Sequence, residues 1–215
     1  MKITVVYDNE VLKEGLKSGW GFSCLIDDDV LFDTGDDGAA LLYNMEKLDI
    51  NPRDLKSVVI SHAHWDHTGG LSELLKENQE LAIYAPPGFC ETLKNRIPEK
   101  TKLISCQEPT LIRKGVSTTG TLNTFIEEQG LVCLTKKGAL VVLGCSHPGV
   151  DRLVDAASKL GKVYGVIGGF HGFSKLEALK GLEVISPCHC TQSKREIQQA
   201  FPKQCIKCGA GLVLE

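Results

Sequence analysis

One pattern occurs four times along this chain: a short apolar run leads into a turn of small residues, and a histidine follows. The four histidines are His62, His147, His171 and His189. Continuous apolar runs of this length are typical of strands that are covered on both faces of a sheet. Layered α/β proteins usually place their chemistry on the loops at such strand ends. The pattern therefore predicts a layered α/β protein whose functional residues include these histidines.

Helices and a hairpin are expected around these strands. Residues 71–77 and 150–160 are expected to be helical, and capping-box spacing predicts two more helices that begin at Ser174 and Ser193. Near the N-terminus, residues 22–32 consist of two apolar runs separated by three aspartates, which indicates an antiparallel hairpin. Strands towards both ends of the chain with helices between them suggest two sheets sandwiched by helices.

The length and composition are those of one ordinary globular domain, residues 1–215. Hydrophobic residues make up 42% of the chain and charged residues 24%. The net charge of -3 gives no reason to expect nucleic acid or an anionic membrane as partner. No secretory signal pattern and no membrane-spanning apolar run is found, so we expect a cytoplasmic protein with a small-molecule substrate. Its oligomeric state is not indicated.

The segment after the first of these histidines carries the most specific chemical signal. His62, His64, Asp66 and His67 place three imidazoles and a carboxylate within six residues. This is the ligand set that Zn(II) and neighbouring divalent metals prefer. In an extended turn His62 and His64 point the same way, and a tight turn at Asp66 aims a second pair at an adjacent point. One loop can thus serve two metals. The alternative, a solvated histidine-rich loop, requires four of the six histidines to lie at strand ends by chance.

These residues also carry a resemblance to a known family. The run His62-x-His64-x-Asp66-His67 resembles the metal-binding motif of the metallo-β-lactamase superfamily, and residues 31–35 resemble its upstream strand-and-turn motif. Residues 144–149, 168–171 and 187–191 resemble the branch of methanogen-type 7,8-dihydropterin-6-methyl-4-(β-D-ribofuranosyl)aminobenzene-5'-phosphate synthases and uncharacterised metal-dependent hydrolases. The resemblance implies a four-layer αββα sandwich.

The resemblance also implies two sets of ligands. The set for the first metal is His62, His64 and His147. The set for the second metal is Asp66, His67 and His189. Asp33 would accept a ring N–H and fix a histidine tautomer, although an aspartate before Thr-Gly can also simply form a turn. We expect a divalent metal, first of all Zn(II), as one or two ions, with Mn(II) and Fe(II) as alternatives.

One part of the pattern departs from the family. Many members with two metals have an aspartate that bridges them, on a strand between the third and the last metal-binding histidine. Here that stretch delivers His171 after a Gly-Gly turn. The missing carboxylate puts tight binding of two metals in doubt. His171 is open to three interpretations: a substitute ligand, a substrate contact or a structural histidine.

The cysteines allow several interpretations. Their number, nine, is odd, so a complete disulfide framework is excluded. Cys188, Cys190, Cys205 and Cys208 could form a four-thiolate zinc site or a redox pair, and the competing interpretation is buried or loosely exposed thiols. Cys145 is expected to be a packing residue rather than a nucleophile.

The function expected from these features is a metal-dependent hydrolase. A metal-activated water would attack an ester-type, phosphate-containing small molecule, with Asp66 orienting that water or accepting its proton and His171 stabilising charge or protonating the leaving group. Residues 85–125 are expected to be an insert that covers the substrate. Two alternatives remain: a transferase or synthase acting on a phosphorylated pterin-type compound, and a non-catalytic metal or redox sensor.

Overall fold

Two mixed β-sheets form the centre of the protein, and the computed structural model describes residues 1–215. The seven-stranded sheet contains, in spatial order, β13 (Val213–Leu214), β1 (Ile3–Tyr7), β2 (Ser23–Ile26), β3 (Val30–Phe32), β4 (Ser57–Val59), β5 (Ala82–Ala85) and β6 (Lys102–Ser105). The six-stranded sheet contains β12 (Val184–Cys188), β11 (Val163–Gly169), β10 (Gly138–Leu143), β9 (Leu131–Thr135), β8 (Val116–Thr118) and β7 (Leu111–Arg113).

Helices cover the outer faces of both sheets. They are α1 (Gly38–Lys47), α2 (Trp65–Thr68), α3 (Leu71–Glu77), α4 (Pro87–Leu93), α5 (Val150–Ser158) and α6 (Lys194–Ala200), with 3₁₀ turns at Pro52–Asp54 and Leu176–Leu179. Asp37 caps α1, because its carboxylate accepts the backbone N–H groups of Ala39 and Ala40. None of these helices has the length and apolar character required to cross a lipid bilayer.

Three apolar clusters separate four layers of secondary structure. Nineteen buried residues, among them Met45 on α1 and Leu74 on α3, pack these helices against the seven-stranded sheet. Seventeen lie between the two sheets, and fourteen, including Leu153 on α5, lie between the six-stranded sheet and its helices. The αββα sandwich that the sequence implied is confirmed.

Burial on both faces explains the uninterrupted apolar runs of the central strands. On β4, Val58 faces the helices while Val59 faces the other sheet. On β10, Val141 faces α5 while Val142 faces the first sheet. Because successive side chains point to opposite faces, a strand in a middle layer needs apolar residues at consecutive positions.

Most of the predicted helices and the predicted hairpin are present, and one predicted helix is absent. The hairpin is present as β2 and β3, α3 coincides with the predicted helix, and α5 ends two residues earlier than expected. The helix after Ser193 forms, but the Ser193 hydroxyl donates to the Phe173 carbonyl instead of capping it. The helix predicted at Ser174 is wrong. Only a 3₁₀ turn forms there, because the chain must reach β12 within a few residues.

The segment expected as an insert contributes to both sheets. Residues 85–125 include α4, β6 at the edge of the first sheet, and β7 and β8 at the edge of the second. The loop from β8 to β9 is the part that leads back to the histidine-bearing strand ends, and at its tip the Phe125 side chain is fully exposed. A substrate-covering role for residues 85–125 stays a prediction.

Candidate metal centre

The strands that precede the histidines end at the same rim of the sandwich. β10, β11 and β12 run parallel, so the turns bearing His147, His171 and His189 follow neighbouring strand ends. The turn after β4 meets them from the other sheet, with the ring centroids of His62 and His147 4.7 Å apart. All six histidines of the chain therefore lie in one region.

Close approach of neighbouring chain segments at this rim depends on glycine. A Cβ at Gly144 would collide with the Ser61 side chain, and one at Gly168 would collide with the Leu143 carbonyl oxygen. Gly168 also has a φ of 134°, which other residues rarely adopt. His171 and His189, with φ of 44° and 43°, take the left-handed conformation without being glycine, a kind of strain that clusters at functional sites.

His62, His64 and His147 form a first group. The ring centroid of His64 lies 4.6 Å from that of His62 and 4.8 Å from that of His147. His62 is fully buried, whereas His64 is exposed and His147 is partly exposed. The group therefore opens towards solvent on the side of His64.

Asp66, His67 and His189 form a second group beside the first. The Asp66 Oδ2 atom lies 3.1 Å from His189 Nε2 and 3.8 Å from His67 Nε2. The rings of His62 and His67 are 4.3 Å apart, so the two groups share a border. The structure thus brings together all six residues that the sequence proposed as ligands. The potential ligand atoms of five of them cluster closely, while the His64 ring lies beside those of His62 and His147 without joining the cluster.

Asp33 organises one histidine of each group from a fully buried position. Its Oδ2 atom lies 2.7 Å from His67 Nδ1 and 2.7 Å from the Ser61 hydroxyl, which in turn lies 2.8 Å from His62 Nδ1. With the hydroxyl hydrogen donated to Asp33, Ser61 accepts the Nδ1–H of His62. The Nε2 atoms of His62 and His67 then each carry a free lone pair. The ring contact proposed for Asp33 from the sequence is present.

Glu128 plays the same part for His147 and was missed by the sequence analysis. Its carboxylate accepts the backbone N–H groups of Cys145, Ser146 and His147, and it lies 2.9 Å from His147 Nδ1. Burial raises the pKa of Glu128, but the hydrogen bonds with His147 and the nearby His62 outweigh it and lower the pKa to about 2. The group is therefore a fully buried carboxylate that shapes the whole turn after β10.

The N-terminal segment completes the second group, which the sequence analysis also missed. Asn9 Oδ1 lies 2.8 Å from His189 Nδ1, and Asp8 Oδ1 accepts the backbone N–H of His189 at 2.8 Å. These residues precede His189 by about 180 positions, and only the pairing of β1 with its neighbours brings them there.

Burial keeps two of the imidazoles neutral. Desolvation is the largest influence on both, lowering the pKa of His62 well below its ordinary value and that of His67 to about 3. Burial raises the pKa of Asp66, but the contacts with His189 and His67 outweigh this effect and hold that pKa below its usual range. Neutral imidazole and ionised carboxylate are the forms that bind metals.

The residues present fit a divalent cation. The Nε2 atom of His62 is buried and has no hydrogen-bond partner of any kind. The Asp66 Oδ2 atom and the His189 Nε2 atom lie 3.1 Å apart, and Asn9 occupies the other ring nitrogen of His189. An unpaired buried acceptor such as His62 Nε2 is costly, and a cation bound to it removes that cost. Imidazole nitrogen and carboxylate oxygen form the donor set expected for zinc and its neighbours.

Cys145 lies at the border between the two groups. Its Sγ atom is 3.2 Å from His67 Nε2 and 3.3 Å from Cys190 Sγ. In the protein alone, the hydrogen bond with Cys190 and burial raise the pKa of Cys145, while the same hydrogen bond lowers the pKa of Cys190. A cation beside Cys145 would make Cys145 the more acidic of the two thiols, because a coordinating thiol loses its proton.

His171 lies at the rim rather than within either group. Its side chain is exposed, and its ring centroid is 5.1 Å from that of His147. Together with His147, Phe170 and Phe173 it lines a cavity of about 380 Å³. Partial burial and the neighbouring His147 lower the pKa of His171. Because its exposed ring opens onto this cavity and neighbours His147, this position suits contact with a bound molecule.

The remaining cysteines do not form a four-thiolate site. Cys188 is joined to Cys208 by a disulfide, a bond that the expectation of reduced thiols did not foresee. Cys190 faces Cys145 instead, and Cys205 pairs through its backbone with Ile185. The four sulfur atoms therefore do not converge.

The fold and the metal-ligand motif define the class of protein: the chain belongs to the metallo-β-lactamase superfamily. The model of the metallo-beta-lactamase superfamily matches residues 24–105. The chain is 30% identical to the 7,8-dihydropterin-6-methyl-4-(beta-D-ribofuranosyl)-aminobenzene-5'-phosphate synthase of Methanocaldococcus jannaschii, over 86% of this chain and 84% of the relative. Membership implies binding of a divalent metal.

Solved structures agree with this assignment. The crystal structure of Tm1679, a metal-dependent hydrolase of the β-lactamase superfamily, is 28% identical and superposes with a TM-score of 0.81, covering 100% of this chain and 98% of the other. The metallo-β-lactamase fold protein YhfI of Bacillus subtilis is 17% identical with a TM-score of 0.73, covering 100% and 99%. The second likeness concerns the fold alone.

Proposed function

We propose that this protein is a metal-dependent hydrolase that acts on an ester-type, phosphate-containing small molecule with two divalent ions, most simply Zn(II). The observation that carries the proposal is the unpartnered, buried Nε2 atom of His62 among three further imidazoles whose Nδ1 atoms are occupied. Four imidazoles prepared in this way, beside an ionised carboxylate, have little use other than holding cations at an accessible rim.

The bound cations supply Lewis acidity and a water activated at neutral pH. Within the protein, Asp66 remains ionised, and its low pKa makes it better suited to orient the attacking water than to remove its proton. His171, exposed at the rim beside His147, is the group placed to contact a leaving group. Its lowered pKa favours the neutral ring, which can stabilise developing charge by donating a hydrogen bond. The proposed roles of Asp66 and His171 are thus separate: Asp66 orients the water and His171 stabilises the leaving group.

The residues at the rim support a substrate that carries an anionic group and a planar ring. A phosphate would be attracted by the cations, and the ring of Trp20, 52% exposed, lies 5.3 Å from that of His189, where a planar heterocycle could stack on it. The methanocaldococcal relative is a synthase, so transfer instead of hydrolysis on a phosphorylated pterin-type compound is the alternative reaction at the same site.

Elemental analysis of the purified protein beside His62→Ala and His147→Ala variants tests the proposal. We expect two equivalents of metal in the parent protein and a loss of metal in both variants. Turnover of phosphodiester substrates by the two variants should fall by more than about 100-fold. Even the loss of an outer hydrogen-bond partner of a metal ligand typically lowers metal affinity or activity by about 10–100-fold.

His171→Ala is the matched histidine control for this experiment. It should keep the full metal content while losing turnover, since His171 is exposed at the rim beside His147 and outside both groups. Metal that persists in both the His62 and His147 variants, or turnover by a metal-free His64→Ala protein, would contradict the proposal.

A second candidate function, a metal or redox sensor, is favoured by one observation, the 3.3 Å between Cys145 Sγ and Cys190 Sγ. Hydrogen peroxide can convert two thiols to a disulfide with release of two waters. Because Cys145 Sγ also lies 3.2 Å from His67 Nε2, such a bond would change the border of both ligand groups.

Peroxide treatment of the metal-loaded protein separates the two candidates. A sensor should release metal to a chromogenic chelator, take it up again after reduction, and lose this response in Cys190→Ser. The hydrolase should show turnover that does not respond to reductant. Metal release that is identical in the parent protein and in Cys190→Ser would exclude the thiol pair as the sensing element.

A further inference from the structure

The two ligand groups lack a carboxylate between them. Asp33 and Glu128 are both engaged behind the imidazole rings, and Asp151 on α5 pairs with Lys175 at 2.8 Å. Asp66 belongs to the second group only. A shared ligand, if there is one, must therefore be a different type of side chain.

Cys145 occupies that position. Its sulfur lies within 4.8 Å of the donor atoms of Asp66, His67 and His189, and equally within 4.8 Å of those of His62 and His147. No other side chain of the protein belongs to both groups of potential ligand atoms. Cys145 is also buried, with 3% of its surface exposed, so the sulfur faces the donor atoms and not solvent.

The backbone around Cys145 holds the sulfur in place. Its N–H donates to Glu128 Oε1 at 2.9 Å, and the turn that carries it is packed against the other sheet where Gly144 meets Ser61. The thiol of Cys190 lies 3.3 Å away and can donate a hydrogen bond to the sulfur. A hydrogen-bonded, immobilised sulfur beside imidazole nitrogens is the arrangement expected of a metal ligand rather than of a packing residue.

We propose that the Cys145 thiolate is a metal ligand shared by both cation positions. The proposal rests on the metal binding proposed above and specifies how the two cations are joined. A thiolate is softer than a carboxylate, so this ligand selects Zn(II) or Co(II) over Mn(II) and Mg(II). The departure seen in the sequence, a missing bridging carboxylate, is then compensated from a different strand.

Substitution with Co(II) tests this proposal without reference to activity. Thiolate coordination gives a sulfur-to-cobalt charge-transfer band in the near ultraviolet, whereas nitrogen and oxygen ligands do not. We expect the parent protein to bind two equivalents of Co(II) and to show this band. Cys145→Ser should lose the band and bind about one equivalent less, because the hydroxyl is a far weaker ligand.

Three further variants keep the test decisive if Cys145→Ser folds poorly. Cys145→Asp should bind two equivalents without the band, since it restores a carboxylate. Cys190→Ser should retain the band, as should Cys133→Ser, which alters a thiol buried between the sheets. Co(II) bound by the parent protein without the band, or a band that persists in Cys145→Asp, would overturn the proposal and leave the hydrolase intact. A parent protein that binds no Co(II) or Zn(II) would overturn both.

Discussion

Replacement of Glu128 by Gln is expected to lower the free energy of unfolding by about 3–5 kcal/mol and to weaken metal binding by about 10–100-fold. Glu128 accepts four hydrogen bonds, three from successive backbone N–H groups and one from His147 Nδ1. A glutamine side chain has one oxygen, so its NH₂ group would face two of these donors in a fully buried place.

Chemical denaturation and metal titration together measure these effects. Glu127→Gln is the matched control, because the neighbouring carboxylate is partly exposed and contacts only the Gly88 N–H outside the centre. We expect Glu127→Gln to keep the metal affinity of the parent protein. Equal metal affinity in Glu128→Gln and the parent protein would mean that the turn after β10 holds His147 without Glu128.

Asp33→Asn is expected to impair both ligand groups at once, with metal affinity lower by about 10–100-fold. Asp33 contacts His67 directly and His62 through the Ser61 hydroxyl, and it also accepts the Ser61 backbone N–H at 2.7 Å. Burial raises the pKa of Asp33, while the hydrogen bonds from Ser61 oppose this effect. A cation on the His67 ring would act in the same direction as those bonds. An amide at this position supplies one acceptor where the carboxylate supplies two.

Competition with a chelator of known affinity measures the change, resolved into the first and the second equivalent. We expect both equivalents to weaken in Asp33→Asn. Asp28→Asn, an exposed substitution in the turn between β2 and β3, serves as control and should leave both unchanged. Weakening of a single equivalent would show that the contact through Ser61 contributes nothing to His62.

Much of this architecture could be predicted from local patterns. The apolar runs before His62, His147 and His189 specify strands that are buried on both faces, and burial of this kind requires layers on either side. The clustering of His62, His64, Asp66 and His67 within six residues likewise brings ligands together through chain geometry alone. The helix at Ser174 failed because capping-box spacing carries no information on the distance to the next strand.

The sequence by itself indicated the layered fold, the superfamily motif and, through the resemblance, two sets of candidate ligands. The tertiary structure alone decided what stands around them: Glu128 behind His147, Asn9 behind His189 and Cys145 between the groups. Glu127 and Glu128 are adjacent and identical in type, so the sequence does not distinguish them. Burial separates them, because only Glu128 is buried, and burial is set by the tertiary structure. Apolar periodicity and short motifs are local properties, whereas the partner of a buried polar atom is set by which distant strand ends meet.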